Sequence, residues 1–334
     1  MIIDSHGHTS APAEVYLYQS KLIASRGYPI QNPPKLSDDL LETSLQKHIA
    51  LLDEVGTDLQ LISPRPYQMM HSIGPGTIVH KWTSYVNDII ARQVKLHPDR
   101  FAGVAGLPQV PGEPIENCLP ELERAVKELG MVGLLINPDP MEGGHPQAPG
   151  LGDEYWYPLY EKMVELDVPA LIHSASCCSP RVSYTLHFIN EESIAIMSLL
   201  DNKVFEKFPK LKIIVGHSGG AIPYQVGRFR AWRIRKNESD FDTDLKKLYF
   251  ETCNYSKESL ELLFKVIGPD NVLFGTEKPG TASAKDPKTG LWMDDLKPVV
   301  ESIDFLTEED KKKIFEGNAK KLYNLNRVNS FMAL

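Results

Sequence analysis

Eight short apolar runs recur along this chain, and each is followed by a stretch whose hydrophobic residues keep helical spacing. That recurrence constrains the fold more than any other feature. The runs are Ile2 to His8, Leu59 to Ser63, Phe101 to Leu107, Val132 to Ile136, Val168 to Ile172, Lys212 to Val215, Leu248 to Thr252 and Val272 to Gly275. Most are apolar on both faces, as buried parallel strands are. Strict alternation with helices builds right-handed βαβ units. Eight such units that close on themselves make a (β/α)₈ TIM barrel, and 334 residues suit one with insertions. A doubly wound open sheet is the alternative, but the first turn lacks a G-x-G-x-x-G sequence. No linker divides the chain, so residues 1–325 read as a single domain, with 326–334 as a tail. The stretch 9–36 reads as a long irregular insertion after strand 1, serving as a lid or an interface. Ser37 reads as the cap of a helix running to Asp53. A polar loop over 174–190 is expected before a helix at 191–205.

Composition narrows the function. The net charge is −8 and the isoelectric point about 5.7, which argues against a nucleic-acid surface or membrane binding. No apolar run approaches the ~20 residues that span a bilayer. The N-terminus lacks the basic and apolar regions of a signal peptide. Cys118, Cys177, Cys178 and Cys253 form neither a C-x-x-C pair nor a plausible disulfide framework. Cys177 and Cys178 read as small buried residues. A reduced, cytoplasmic protein is the expectation.

The chemistry gathers at strand ends. His6 and His8 close strand 1, and residues two apart on a strand share a face. Gly7 between them leaves room for an ion. His173 follows strand 5, His217 follows strand 6 and Glu277 follows strand 8. In a barrel these ends meet on one face, where active sites sit. One histidine at a strand end is ordinary core, but a set in the same topological position is not. Three histidines and a carboxylate suit one Zn²⁺ per subunit, with Mn²⁺ as the alternative.

His6-x-His8, His173, the Gly216-His217-Ser218-Gly219-Gly220 turn, the acidic Glu277 and the closing Gly317-Asn318-Ala319-Lys320-Lys321-Leu322 resemble the amidohydrolase-related metal-dependent hydrolases. The branch that includes aminocarboxymuconate semialdehyde and γ-resorcylate decarboxylases is the most similar. The resemblance spans residues 1 to about 325. Those decarboxylases usually carry aspartate after strand 8. The Thr276-Glu277-Lys278-Pro279-Gly280 turn looks instead like the hydratase members of the superfamily, zinc lyases that add water to 4-oxalomesaconate in bacterial protocatechuate and gallate breakdown.

That resemblance implies roles. His6, His8, His173 and Glu277 would hold the metal, which lowers the pKa of bound water towards ~7. Glu277 would also be the base, and His217 the general acid or an orienting group beside the metal. The substrate would be a small polycarboxylate, so cationic and hydrogen-bonding side chains are needed. Arg65 after strand 2 and the Tyr184, His187 and Asn190 cluster are the candidates. In related decarboxylases a neighbouring subunit's arginine completes the site, so one of Arg228, Arg230, Arg233 and Arg235 on one helix is expected to serve in trans, with Arg228 as the choice, and a homo-oligomer, a dimer or higher, is implied. A non-oxidative decarboxylase is the competing reading, and a single-metal amide or lactone hydrolase the third. A two-metal hydrolase would want a modified lysine after strand 4, where Asn137 stands.

Overall fold

The computed structural model describes residues 1–29, 32–145 and 147–325. The 326–334 tail lies outside the described residues. Eight parallel strands follow one another in chain order around the sheet. They are β1 (Ile3–His8), β2 (Leu59–Ser63), β3 (Phe101–Ala105), β4 (Gly133–Ile136), β5 (Ala170–Ile172), β6 (Ile213–Val215), β7 (Tyr249–Glu251) and β8 (Val272–Leu273). The seam between β8 and β1 is closed by Ser5 N–H to Phe274 O at 2.8 Å and Glu277 N–H to His6 O at 2.7 Å. This is the expected (β/α)₈ barrel.

The strands alternate in two apolar environments. Leu135, Leu171 and Ile214 pack in the barrel interior with Ile3, Leu61 and Leu273. Their neighbours Leu134, Ile136, Ala170, Ile172, Ile213 and Val215 pack outward against the helices. Tyr323 and Leu325 join the interior cluster near the chain's C-terminal end.

The helices used below are α1 (Ala13–Ser25), α2 (Asp38–Val55), α3 (Gly76–Leu96), α4 (Leu119–Lys127), α5 (Tyr157–Leu166), α6 (Tyr184–Asp201), α7 (Val204–Lys207) and α8 (Val226–Lys236). Ser37 caps α2 as expected, its hydroxyl accepting Leu40 N–H at 3.2 Å. Two segments differ from the sequence reading. The 9–36 insertion contains α1, whose buried face is Val15, Tyr18 and Leu22. The supposed loop over 174–190 turns helical at Tyr184, seven residues before the expected start at Glu191. Phe188 and Ala195 bury on that helix, and tertiary packing of this kind overrides a polar local composition.

Candidate metal centre and cavity

The site depends on a fault in β1. Ile3 faces the barrel interior. Strict alternation would place Ser5 and Gly7 inside with it and turn both histidines away. The ladder with β2 instead slips between Asp4 and Gly7, where three steps on β1 match two on β2. This β-bulge resets the phase. Ligand atoms of His6, His8, His173 and Glu277 then lie within 4.8 Å of one another, all four residues buried. Gly7 has a different reason from the one expected. A Cβ there would meet the Gln60 side chain at 2.3 Å, so the glycine makes room for Gln60.

Each of the three histidines is gripped at Nδ1. His6 Nδ1 lies 3.3 Å from Glu251 Oε1, His8 Nδ1 2.8 Å from Ser63 Oγ, and His173 Nδ1 2.7 Å from the Ser174 carbonyl. A carbonyl or carboxylate can only accept, so at least His6 and His173 carry their proton on Nδ1. Their Nε2 lone pairs are then free. The Nε2 atoms of His6, His8 and His173 are all buried without a hydrogen-bond partner. Buried polar atoms rarely go unsatisfied. Glu277 supplies the counter-charge, with Oε1 3.6 Å from His8 Nε2 and 3.9 Å from His173 Nε2. Three orphan imidazole nitrogens and one carboxylate, each oriented from behind, fit a divalent ion.

The electrostatics agree. Burial holds His6 well below the usual histidine range and His8 at about 3, so both stay neutral. Burial pushes Glu277 up, but the nearby imidazoles of His173 and His8 and the charge on His217 outweigh it and keep the carboxyl ionised. Glu277 sits at φ 60°, its N–H held by His6 O. Tyr255 Oη donates to its Oε2 at 3.1 Å.

His217 stands beside this group rather than in it. Its ring centroid is 4.9 Å from that of His173, and it stacks on Phe188 at 5.6 Å and 19°. Its Nδ1 donates to Glu192 Oε1 at 2.6 Å. Burial alone would lower its pKa, but the Glu192 carboxylate beside it raises it to about 10. Its backbone N–H donates to Glu251 Oε1. Glu251 therefore ties His6 and His217 together, and burial lifts its own pKa to about 7. Neither Glu192 nor Glu251 stood out in the sequence. A carboxylate inside the apolar Leu248-Tyr249-Phe250-Glu251 run was a usable signal, because unpaired buried acids are rare.

A cavity of 370 Å³ opens above the ligands, walled by His8, Arg65, Tyr67, His173, Tyr184, Phe188, Glu277 and the 279–281 turn. Arg65 and Tyr184 line it, and both Arg65 guanidinium NH₂ groups lie 3.5 Å from Pro279 O. The other candidates do not. His187, on α6, is buried and groups with Asp139 and Glu191. Asn190 is exposed on the same helix. Arg228 is exposed on α8. Asn137 is engaged with Gln109 and His71. Cys177 is half-buried and Cys178 exposed, against the expectation that both are buried.

The amidohydrolase family pattern matches residues 3–325. This chain belongs to the amidohydrolase family. Among its relatives is the 2-keto-4-carboxy-3-hexenedioate hydratase of Sphingobium sp. SYK-6, 40% identical over 97% of this chain and 96% of that protein. The γ-resorcylate decarboxylase of Polaromonas sp. JS666 is 30% identical over 94% of this chain and 98% of its own length. The crystal structure of 4-oxalomesaconate hydratase from Rhodopseudomonas palustris superposes with a TM-score of 0.88 at 38% identity, covering 98% of this chain and 97% of that one. A dihydroxybenzoic acid decarboxylase from Polaromonas sp. JS666, with bound manganese and 2-nitroresorcinol, gives 0.74 at 26% identity, covering 98% and 97%.

Proposed function

We propose that this protein is a metal-dependent hydratase, a lyase that adds water across the conjugated C=C of an unsaturated polycarboxylate such as 4-oxalomesaconate. The observation that carries the reading is Glu277: a buried, ionised carboxylate 3.6 Å from one orphan imidazole nitrogen and 3.9 Å from another, at the floor of a cavity that also holds Arg65. The hydratase relatives support the same reaction.

His6, His8, His173 and Glu277 would hold the ion. The nitrogen-rich donor set suits Zn²⁺, with Mn²⁺ as the alternative. The ion would supply Lewis acidity, making water acidic near neutral pH and polarising a substrate oxygen. The chain's own groups do the rest. In 2-keto-4-carboxy-3-hexenedioate the keto group activates C4, so the oxygen of water joins C4 and a proton joins C3. Glu277 takes the proton that water loses. His217, charged through Glu192, returns a proton to the carbon or to the enolate oxygen formed on the way. Arg65 pairs with a substrate carboxylate, and the Tyr184 hydroxyl hydrogen-bonds it. Tyr67 and Phe188 supply aromatic wall to the cavity.

Arg228 is exposed on α8 and is not among the residues that line its own chain's cavity. Trp232 and Ile234 are also exposed on α8, and such a helix suits packing against a second copy, in a homo-oligomer where Arg228 serves a neighbour's site. A cytoplasmic setting fits four free cysteines. No helix among the described residues is long and apolar enough to cross a membrane.

The test is an assay of zinc-loaded protein with 4-oxalomesaconate, following loss of the conjugated absorbance and any CO₂. Hydration without CO₂, slowed more than tenfold in Glu277→Gln, supports the reading. CO₂ release from dihydroxybenzoates or aminocarboxymuconate-type acids, with no hydration, makes the protein a decarboxylase instead.

A further inference from the structure

Lys278 follows Glu277, and its side chain is fully buried. Its Nζ lies 2.7 Å from Asp294 Oδ1 and 4.0 Å from the centroid of the Trp292 ring. Asp294 is buried too, and its other oxygen accepts the Ser283 hydroxyl. Ser283 Oγ in turn accepts the Gly280 N–H at 2.8 Å. The Lys278 backbone is equally held. Its N–H donates to Thr276 Oγ1 at 3.1 Å, and its carbonyl accepts Gln60 Nε2 at 2.6 Å. Thr276 donates its N–H and its hydroxyl to Asp4, at 3.0 and 2.6 Å. A closed circuit of polar contacts therefore joins both ends of the 278–294 segment to the β1–β2 edge of the barrel. The same segment supplies Pro279, Gly280 and Thr281 to the cavity wall.

A buried ion pair gives little net stability over a well-packed apolar pair, because both charges lose their water. What it does give is a fixed geometry. We propose that Lys278 and Asp294 form a latch that holds the strap after β8 across the cavity and positions the Glu277 carboxylate. They are positioning residues: neither lines the cavity, and both act through the turn that carries Glu277. The consequence for Glu277 rests on the metal reading above. The existence of the latch does not.

The experiment compares wild type with Lys278→Met/Asp294→Leu, which removes both charges and strands neither. Amide hydrogen exchange of the metal-free proteins comes first. The latch requires exchange at least tenfold faster across 276–283 in the variant, with β2–β7 still protected. Unchanged exchange there overturns it, whatever the metal does. Cobalt(II) uptake and kinetics follow. Positioning of Glu277 requires a shifted visible cobalt spectrum and a kcat at least tenfold lower, with a smaller change in KM. Faster exchange with a wild-type spectrum and kcat overturns the positioning role. A wild type that takes up no cobalt defeats the metal reading, while the exchange result still judges the latch. Should the double variant fail to fold, Asp294→Asn, which keeps an acceptor for Ser283, carries the same readings.

Discussion

Glu192 Oε1 accepts the Nδ1–H of His217 at 2.6 Å, and Glu192 is fully buried. That contact sets the charge of the ring beside the candidate ligands. With the carboxylate present the imidazole is held protonated, its pKa raised to about 10. Glu192→Gln keeps an oxygen acceptor but removes the charge, so burial takes over and the His217 pKa falls. If His217 is the acid, kcat should drop by roughly 10²-fold, in the range general acid catalysis contributes. The alkaline limb of the pH–rate profile should also move to lower pH. A profile recorded from pH 6 to 10 checks both, and an unmoved limb rules out the acid role.

Among the described residues, Arg65 is the one arginine that lines the cavity. A hydrogen bond to a charged group contributes about 1.5–3 kcal/mol. Arg65→Met should therefore raise KM for a polycarboxylate by roughly 10- to 100-fold, with a smaller change in kcat. Steady-state kinetics separates this from loss of a group that acts only in the transition state, which would lower kcat.

Removal of the ion should be felt in stability as well as rate. Among the described residues, the buried Nε2 atoms of His6, His8 and His173 lack partners in the protein alone. An ion that binds only the folded state at 100 times its dissociation constant adds about 2.7 kcal/mol. Chelator-treated protein should melt several degrees lower, and Zn²⁺ should restore it. Calorimetry of treated and reloaded protein measures the difference, and superimposable melts would argue against the site.

The barrel and the gathering of the four candidate ligands were legible because they depend on periodicity and on strand ends, which a sequence displays directly. The pieces that orient those ligands were not. The β1 bulge leaves no mark on the His6-Gly7-His8 pattern, yet it decides which way both rings point. Glu192 is one of two adjacent acids on a helix, and nothing local separates it from Glu191. His187 and Asn190 were placed near the substrate on the view that 174–190 is a loop. Once α6 begins at Tyr184, Asn190 lies on the far face from Phe188, and His187 is buried beside Asp139 and Glu191 instead of lining the cavity.

His71 gives the chain a measurable acid sensitivity. Its Nε2–H donates to Leu107 O at 3.0 Å, and its Nδ1 receives Asn137 Nδ2 at 3.0 Å. A second ring proton would face a donor, and burial lowers the pKa to about 4. Below pH 6.5 the unfolded chain takes up a proton that the folded chain refuses. Stability from this group is full above pH 6.5, falls between pH 6.5 and 4, and then levels off. The total is about 3 kcal/mol at 1.36 kcal/mol per unit. His71→Gln should flatten the pH dependence of unfolding by up to one proton in that window. Urea titrations at pH 4.5, 5.5 and 7 of both proteins test it, and parallel slopes would show that His71 contributes none.

Gly280 permits the turn that Glu277 needs. A Cβ at Gly280 would sit 2.1 Å from Glu277 O and 2.8 Å from its Cγ. The nearer atom is backbone, so the turn must open and carry Glu277 away from His8 and His173. Gly280→Ala should lower kcat by at least tenfold and destabilise the protein by about 1–3 kcal/mol, the usual range for overpacking. Gly227→Ala on α8 is the control, with nothing within 4 Å of its added Cβ. It should match or exceed wild-type stability, since alanine favours the helix by up to ~1 kcal/mol. Parallel kcat and melting measurements decide the matter: equal activity in both variants would mean that the turn does not place Glu277.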